Sequence, residues 1–555
     1  MVSREKIKFC CGLAIKNIMK ESTTDVELFS RPFELGYLRD DDVKNCIQSE
    51  VIERIERNDF KELKIHKIGH VLVPKNDLCD FRKCAIIDIV DEIIYLTLVL
   101  IIARAIEQER INASKKRVFS YRYKSDISNG YLFHPDYHFT FFRTEVARKS
   151  KIGTNRIIVE CDISNFYDRL NIHRIESTLL SFKNADDDIV NLINKLLLYW
   201  ANRDSYGLPV GSNASRILAE ASLVNVDRFL LSHNVDFCRF VDDYKIFAKD
   251  AEIAHKHLAL LTHCLSREGL FVNTTKTRMK DISFLTTKED ELISSEPESG
   301  ELNEINSAAI SHESIRKTDK DSLPKIIRGY SGLIPTKFRE LTHREREALK
   351  NEDLLEFIKG LKSQMLVEPD EVKRLIKMIV AQRCYDLIVE VSSILRKFPQ
   401  FIPYFVNFVS KYKSEISGET IGNVIEDFSD LFLQNDVPEY ILVYLVKLFK
   451  IDKNGKAKLF DAFRNLRRRS GDYIGRALLE SFNGTLSRAE VIEIRESFVR
   501  SDSWEKRQIL RLVQNTLPDG EKNAFFKDVS IHTTDLFTRF IISKDENHLR
   551  VTHFK

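Results

Sequence analysis

Phe237-Cys238-Arg239-Phe240-Val241-Asp242-Asp243-Tyr244-Lys245-Ile246-Phe247 sets two adjacent carboxylates between runs that alternate aromatic or β-branched residues with polar ones. The pattern predicts a hairpin with acid at its turn, since side chains alternate faces along a strand and two neighbouring aspartates at a tight turn share the sheet end. A second acidic run lies upstream, Ile157-Ile158-Val159-Glu160-Cys161-Asp162, continuing through Ile163-Ser164-Asn165-Phe166-Tyr167-Asp168, and it reads as a buried strand ending at Asp162. Carboxylates from two such strands are expected to hold two magnesium ions about 3.5–4 Å apart, the separation that clamps attacking and leaving oxygens in phosphoryl transfer.

At 555 residues the chain exceeds what one hydrophobic core ordinarily supports, so several domains are expected. Hydrophobic residues at 43% and charged residues at 30% describe a globular protein, and 36 Phe against 19 Gly points to abundant core and few loops. With 86 basic and 83 acidic residues, the net charge of +3 is too balanced for a general nucleic-acid coat, so polyanion contact must come from local patches. The nine cysteines, among them Cys10, Cys11, Cys46, Cys161, Cys238 and Cys384, show no paired metal spacing. Cys79 and Cys84 stand close together, but no second pair or His cluster completes a zinc site. Reduced, buried thiols and a cytoplasmic location are therefore expected. Met1-Val2-Ser3-Arg4-Glu5-Lys6 lacks an apolar signal core, so no export is expected. Ile93 to Ala103 is too short for the ~20 residues of a bilayer span and follows Asp88, Asp91 and Glu92, which predicts a buried helix and no membrane partner.

The chain changes character once. Up to about residue 285 short strand-like runs mix with helices, whereas after about 335 helical periodicity dominates, as in Leu354-Leu355-Phe357-Ile358-Leu361 and Tyr440-Leu442-Val443-Leu445-Val446-Phe449. Between them, Thr286 to Ser322 is polar and poor in large apolar residues, which predicts a linker or insertion. Successive helical blocks resemble a HEAT-like α-solenoid.

Four segments follow in order. After the Asp162 strand comes Tyr167, an aromatic placed to stack beneath a sugar and collide with a ribose 2′-hydroxyl. Tyr206-Gly207-Leu208-Pro209-Val210-Gly211-Ser212-Asn213-Ala214-Ser215-Arg216 is a glycine-flanked loop running into a helix, where backbone can approach a substrate and N–H groups are free. The Asp242-Asp243 turn is third, and Gly269 to Thr277, carrying Lys276, is fourth. This ordered set resembles motifs A to D of the reverse transcriptase palm, and Val71-Leu72-Val73-Pro74-Lys75, with Arg82 and the helix from Asp88 to Glu107, resembles the fingers of the same family.

The resemblance covers roughly residues 65 to 285. It implies an α+β fold, with reverse transcriptase fingers and palm at 65–285, an N-terminal helical extension of the fingers at 1–64, a polar linker at 286–335 and an all-α HEAT-like solenoid at 336–555. It implies that Asp162 and Asp242 ligate two Mg²⁺, or Mn²⁺ in their place, with Asp243 supporting and Ile163 in the metal-holding set. Lys75 and Arg82 would neutralise a deoxynucleoside triphosphate, Tyr167 would gate the sugar, Gly211 and Ser215 would line the nucleotide site, and Lys276 would reach a phosphate. One departure is Val210, where templating relatives usually carry Gln; valine cannot hydrogen-bond to nucleotide or template.

A palm followed by a HEAT-like domain, with this altered loop, is similar to the bacterial abortive-infection (AbiK-type) and other defence-associated reverse transcriptases. That likeness implies a magnesium-dependent DNA polymerase acting against phage, template-independent and primed on a protein tyrosine, with single-stranded DNA product attached covalently, and a homo-oligomer. Tyr37, in the Gly36-Tyr37-Leu38-Arg39 turn, is the priming candidate, with Tyr121, Tyr123, Tyr131 and Tyr137 as competitors. A templated polymerase of the retron or group II intron type is the alternative, and a helical-repeat scaffold with a vestigial palm the second. Arg464, Arg467, Arg468 and Arg469, near Tyr473 and Arg476, form a basic cluster suited either to a single strand or to a solvated helix face.

Overall fold

The computed structural model describes residues 2–24, 26–29, 32–75, 81–124, 129–202, 204–282, 338–433, 437–452, 454–465 and 473–543. The expected linker, Cys79, and Arg467 to Arg469 lie outside the described residues. The chain falls into two compact units, one taking in residues 1–68 and the described part of 85–298, the other residues 69–84 and the described part of 331–555.

Along the chain, α1 (Arg4–Glu21) and α2 (Asp41–Glu56) lead into a two-stranded sheet of β1 (Gly69–Pro74) and β2 (Phe81–Ile86). The long α3 (Ile89–Glu109) follows, with Asp88 as N-cap accepting the N–H of Val90 at 3.1 Å. Ile93 to Ala103 are all buried, as a helix apolar all round must be. No described helix is long and apolar enough to cross a membrane. Then come α4 (Phe139–Ser150), β3 (Ile157–Asp162), α5 (Phe166–Arg169), α6 (Ile172–Leu180), α7 (Asp187–Ala201), α8 (Asn213–Ser222) and α9 (Val224–Ser232). The first unit closes with β4 (Asp236–Phe240), β5 (Asp243–Ala248), α10 (Ala251–Arg267) and β6 (Arg278–Asp281). Within it α3 is the central post, packed by α1, α7 and α8.

The four-stranded sheet runs in the order β4-β5-β3-β6, every pair antiparallel. Along β3 and β5, Val159, Cys161, Tyr244 and Ile246 are buried, while Glu160, Asp162, Asp243 and Lys245 are only partly so. That alternation sets the register, because a one-residue slip would bury the acids and expose the core. In the register observed, Asp162 stands opposite Asp243 and Glu160 opposite Lys245.

In the second unit, β1 packs against α17 (Glu439–Phe449) of an all-helical array. That array begins with α11 (His343–Lys350), α12 (Leu354–Ser363), α13 (Pro369–Gln382), α14 (Ile388–Leu395), α15 (Ile402–Lys411) and α16 (Gly418–Ser429). After α17 it continues through α18 (Gly455–Asn465), α19 (Ile474–Ser481), α20 (Arg488–Glu496), α21 (Ser503–Thr516), α22 (Asp519–His532) and α23 (Leu536–Ser543). α15, α17, α19, α21 and α23 form a row in which each helix packs on the next. Polar links keep a similar stride: Thr420 to Asp386 and Lys456 to Glu490 each span 34 residues, Arg488 to Glu521 spans 33 and Ser392 to Asp427 spans 35. The basic cluster is dispersed within its described part. Arg464 binds Glu493 at 2.7 Å, and Arg476 is buried.

Candidate active site

The acidic turn is held from beneath. β4 ends at Phe240 and β5 starts at Asp243, opposite it in the ladder, so Val241 and Asp242 make the two-residue loop. Val241 has φ of 56°, a left-handed conformation that a β-branched residue adopts only under constraint. The constraint is visible on both sides of it. The Val241 N–H donates to Ser120 Oγ at 2.9 Å, and Arg239 Nη1 donates to the Val241 carbonyl at 2.8 Å. Arg239 is fully buried and bridges Asp227 at 2.6 Å and Glu220 at 2.9 Å, while Arg110 reaches Glu220 at 2.7 Å. Tyr244 donates to Asp227 at 3.1 Å. Two arginines thus balance two acids in the interior, the arrangement that makes buried charge tolerable.

The upstream acid reaches the same place through β3. The Ile163 N–H donates to the Asp242 carbonyl at 3.2 Å, Ile163 bridges Val272, and the Asn273 N–H donates to the Asp162 carbonyl at 2.7 Å. Asp162, Ile163, Asp242, Asp243 and the Asn273 to Lys276 turn therefore meet at one sheet end. Lys276 Nζ lies 3.3 Å from Asp162 Oδ2, and Lys245 Nζ lies 3.1 Å from Asp243 Oδ1. Burial pushes the Asp243 carboxyl above its ordinary range, Lys245 pulls it down, and Asp162 and Glu160 push it further up. Asp162 and Asp243, which repel each other and already draw ammonium groups onto their oxygens, are donors suited to a hard divalent cation. Asp162, Asp243 and the neighbouring Asp242 are the residues that could hold it.

The glycine loop reaches this end through Tyr167. The Leu208 N–H donates to the Tyr167 carbonyl at 3.0 Å, and the Gly207 N–H donates to the Leu170 carbonyl at 2.9 Å. Gly207 and Gly211 have φ of 95° and 115°, values that glycine adopts without strain. Tyr167 is half-buried, and burial raises its hydroxyl well above the usual range, with Tyr121, Glu220 and Asp242 adding to the rise and Arg216 opposing it. Ser212 caps α8 through the Ala214 N–H at 3.1 Å and donates to Glu92 at 2.7 Å.

Two of the expected site residues are buried. Ser215 is 0% exposed, its hydroxyl 3.1 Å from that of Tyr95, so it braces α8 against α3. Helix periodicity turns Ser215 inward, which the loop reading did not consider. Tyr37 is 2% exposed on a 3₁₀ turn, Phe33–Arg39, with its ring edge-on to Phe33, so it is no exposed primer. Lys75 follows the end of β1 and Arg82 lies on β2, both in the second unit.

Sequence reading missed Arg239, Glu220, Asp227, Arg110 and Ser120. Only Arg239 left a signal, as an arginine at an inward position of an otherwise apolar strand. It also missed Arg216, which packs over the Tyr121 ring at 5.2 Å.

Residues 83–289 match the family model described as "Reverse transcriptase (RNA-dependent DNA polymerase)". Comparison with curated protein sequences gave no match. Among solved structures, telomerase from Candida albicans in complex with a TWJ fragment of telomeric RNA is 13% identical, with a TM-score of 0.27, over 68% of this chain and 64% of that one. Apo telomerase from Candida tropicalis is 11% identical, with a TM-score of 0.28, over 77% of this chain and 68% of that one. The chain thus spans 64% of the length of the Candida albicans telomerase chain.

Proposed function

We propose, from the match of residues 83–289 to the reverse transcriptase family model, that this chain is a DNA polymerase, a nucleotidyltransferase using deoxynucleoside triphosphates at the sheet end built from Asp162, Asp242 and Asp243. The observation that carries the reading is the register of Asp162 opposite Asp243, with Asp242 beside it on a turn that is braced from within.

In the reaction a primer hydroxyl oxygen bonds to the α-phosphorus, the bond from that phosphorus to pyrophosphate breaks, and the hydroxyl proton leaves to solvent. Two divalent cations, Mg²⁺ by this reading, would lower the hydroxyl pKa and neutralise the leaving pyrophosphate when bound. Asp162 and Asp242 hold the charge there, with Asp243 and the Ile163 backbone completing the set. Lys75 and Arg82, in the second unit, carry positive charge of the kind that neutralises a triphosphate. Gly211 lets backbone approach the nucleotide, and the half-buried Tyr167 ring sits under the sugar and disfavours a 2′-hydroxyl. Lys276, beside Asp162, would supply positive charge to a phosphate.

The finer reading is an abortive-infection type of polymerase, acting in the cytoplasm against phage, which makes DNA without a template and starts on its own tyrosine. Val210 supports the untemplated part: it is an aliphatic residue, buried, with its carbonyl bound to the Ala85 N–H at 3.0 Å. The helical array, with its repeating polar stride, supports a HEAT-like domain. With Tyr37 buried, Tyr206, 51% exposed at the head of the glycine loop, is the better primer.

The test is incubation of purified protein with Mg²⁺ and one deoxynucleotide, without nucleic acid. Protein-linked DNA is expected, abolished by Asp162→Asn or Asp242→Asn and lost from the Tyr206 peptide in Tyr206→Phe. The domain match itself favours a second reading, RNA-templated synthesis, and strict dependence on added template RNA would establish it. Cellular protection that survives Asp162→Asn in a folded protein would make the chain a scaffold.

A further inference from the structure

We propose that His66, Asp88 and Asp91 form a second, separate cation site, taking a divalent transition metal of the Zn²⁺ class, at the root of the β1–β2 hairpin. One ligand atom from each of the three residues lies within 4.8 Å of the others. Zn²⁺ bound tetrahedrally would draw such donors to about 3.4 Å apart, a shift within reach of side-chain rotation.

Two observations point to a ligand. The Asp91 carboxyl is 1% exposed, and His66 engages only its Oδ2, through the ring Nδ1 at 3.1 Å and the backbone N–H at 2.7 Å. Its Oδ1 is buried with no hydrogen-bond partner, a costly condition that a cation removes. Asp88 and Asp91 are both buried, so the cluster offers two carboxylate donors beside the imidazole. Buried charge of that kind is ordinarily paired or metal-bound.

The mixed donor set selects the metal class. Imidazole with carboxylate suits Zn²⁺ and its neighbours, whereas Mg²⁺ prefers oxygen alone and keeps its water. His66 is 36% exposed, so a cation can arrive from solvent. The frame is already set, since Trp200 Nε1 donates to the His66 carbonyl at 3.1 Å and Asp88 caps α3.

The chain enters β1 shortly after His66 and leaves β2 shortly before Asp88. A metal here ties the two ends of the segment that carries Lys75 and Arg82, a structural clasp distinct from the palm aspartates.

The experiment is equilibrium dialysis against Zn²⁺ with metal quantification, on Asp162→Asn/Asp242→Asn protein so that the palm takes up none. One Zn²⁺ per chain is expected, with a rise in melting temperature. Adding His66→Gln or Asp91→Asn should weaken uptake at least about tenfold. The half-exposed His66 tolerates its change, so folding, checked by circular dichroism, keeps that variant interpretable. No uptake by the palm-silenced protein, or uptake unaltered by both changes, as adventitious thiol binding at the exposed Cys46 would give, overturns the proposal.

Discussion

Arg239 touches no reacting atom in this structure, yet it sets where Asp242 and Asp243 stand, because its guanidinium holds the carbonyl of the strained Val241. Arg239→Ala leaves Asp227 buried without its cation and Glu220 with Arg110 alone, which should cost about 3–5 kcal/mol, read by urea unfolding. Glu92 gives a pH signature of its own. Burial pushes its carboxyl from 4.5 up to about 8, with Ser212 and Arg216 opposing the rise and Asp91 adding to it. The unfolded chain then sheds this proton before the folded one does. Stability is therefore full below about pH 4.5 and falls by up to about 1.4 kcal/mol per pH unit until pH 8. Glu92→Gln should remove that decline and melt higher than the parent at pH 8, with little difference at pH 4.5. Single residues were the least legible scale in the sequence. Asp162, Asp242 and Asp243 announced themselves as acids in apolar strands. The burial of Ser215 and Tyr37 and the partners of Arg239 depend on contacts between residues far apart in the chain, which no local pattern encodes.

At the scale of elements, periodicity was a good guide wherever one face or all faces are buried. The acidic hairpin, the helix that follows the glycine loop, and α3 all stand where alternation or continuous apolarity predicted them. What local pattern could not supply was pairing. Strand order β4-β5-β3-β6 and the Ile163 to Val272 bridge are long-range choices. The helical array offers its own check at Gly455, the first residue of α18, where a Cβ would overlap the Phe449 carbonyl oxygen. Backbone cannot step aside cheaply, so Gly455→Ala should destabilise the helical unit by about 1–3 kcal/mol, measured as a lower melting temperature of the Ala variant.

For the whole molecule, 86 basic against 83 acidic residues leave little general attraction for nucleic acid, so specificity must come from local chemistry. Residues 69–84 group with the helical unit, which a reading that proceeds along the chain does not reveal. The claim on which function rests is that Asp162, Asp242 and Asp243 together bind the cations of nucleotidyl transfer. Anomalous diffraction from crystals soaked with Mn²⁺ and a deoxynucleotide addresses it directly. Two peaks about 3.5–4 Å apart among these three carboxylates are the predicted result. Manganese bound elsewhere, with none between Asp162 and the Asp242-Asp243 turn, would contradict it.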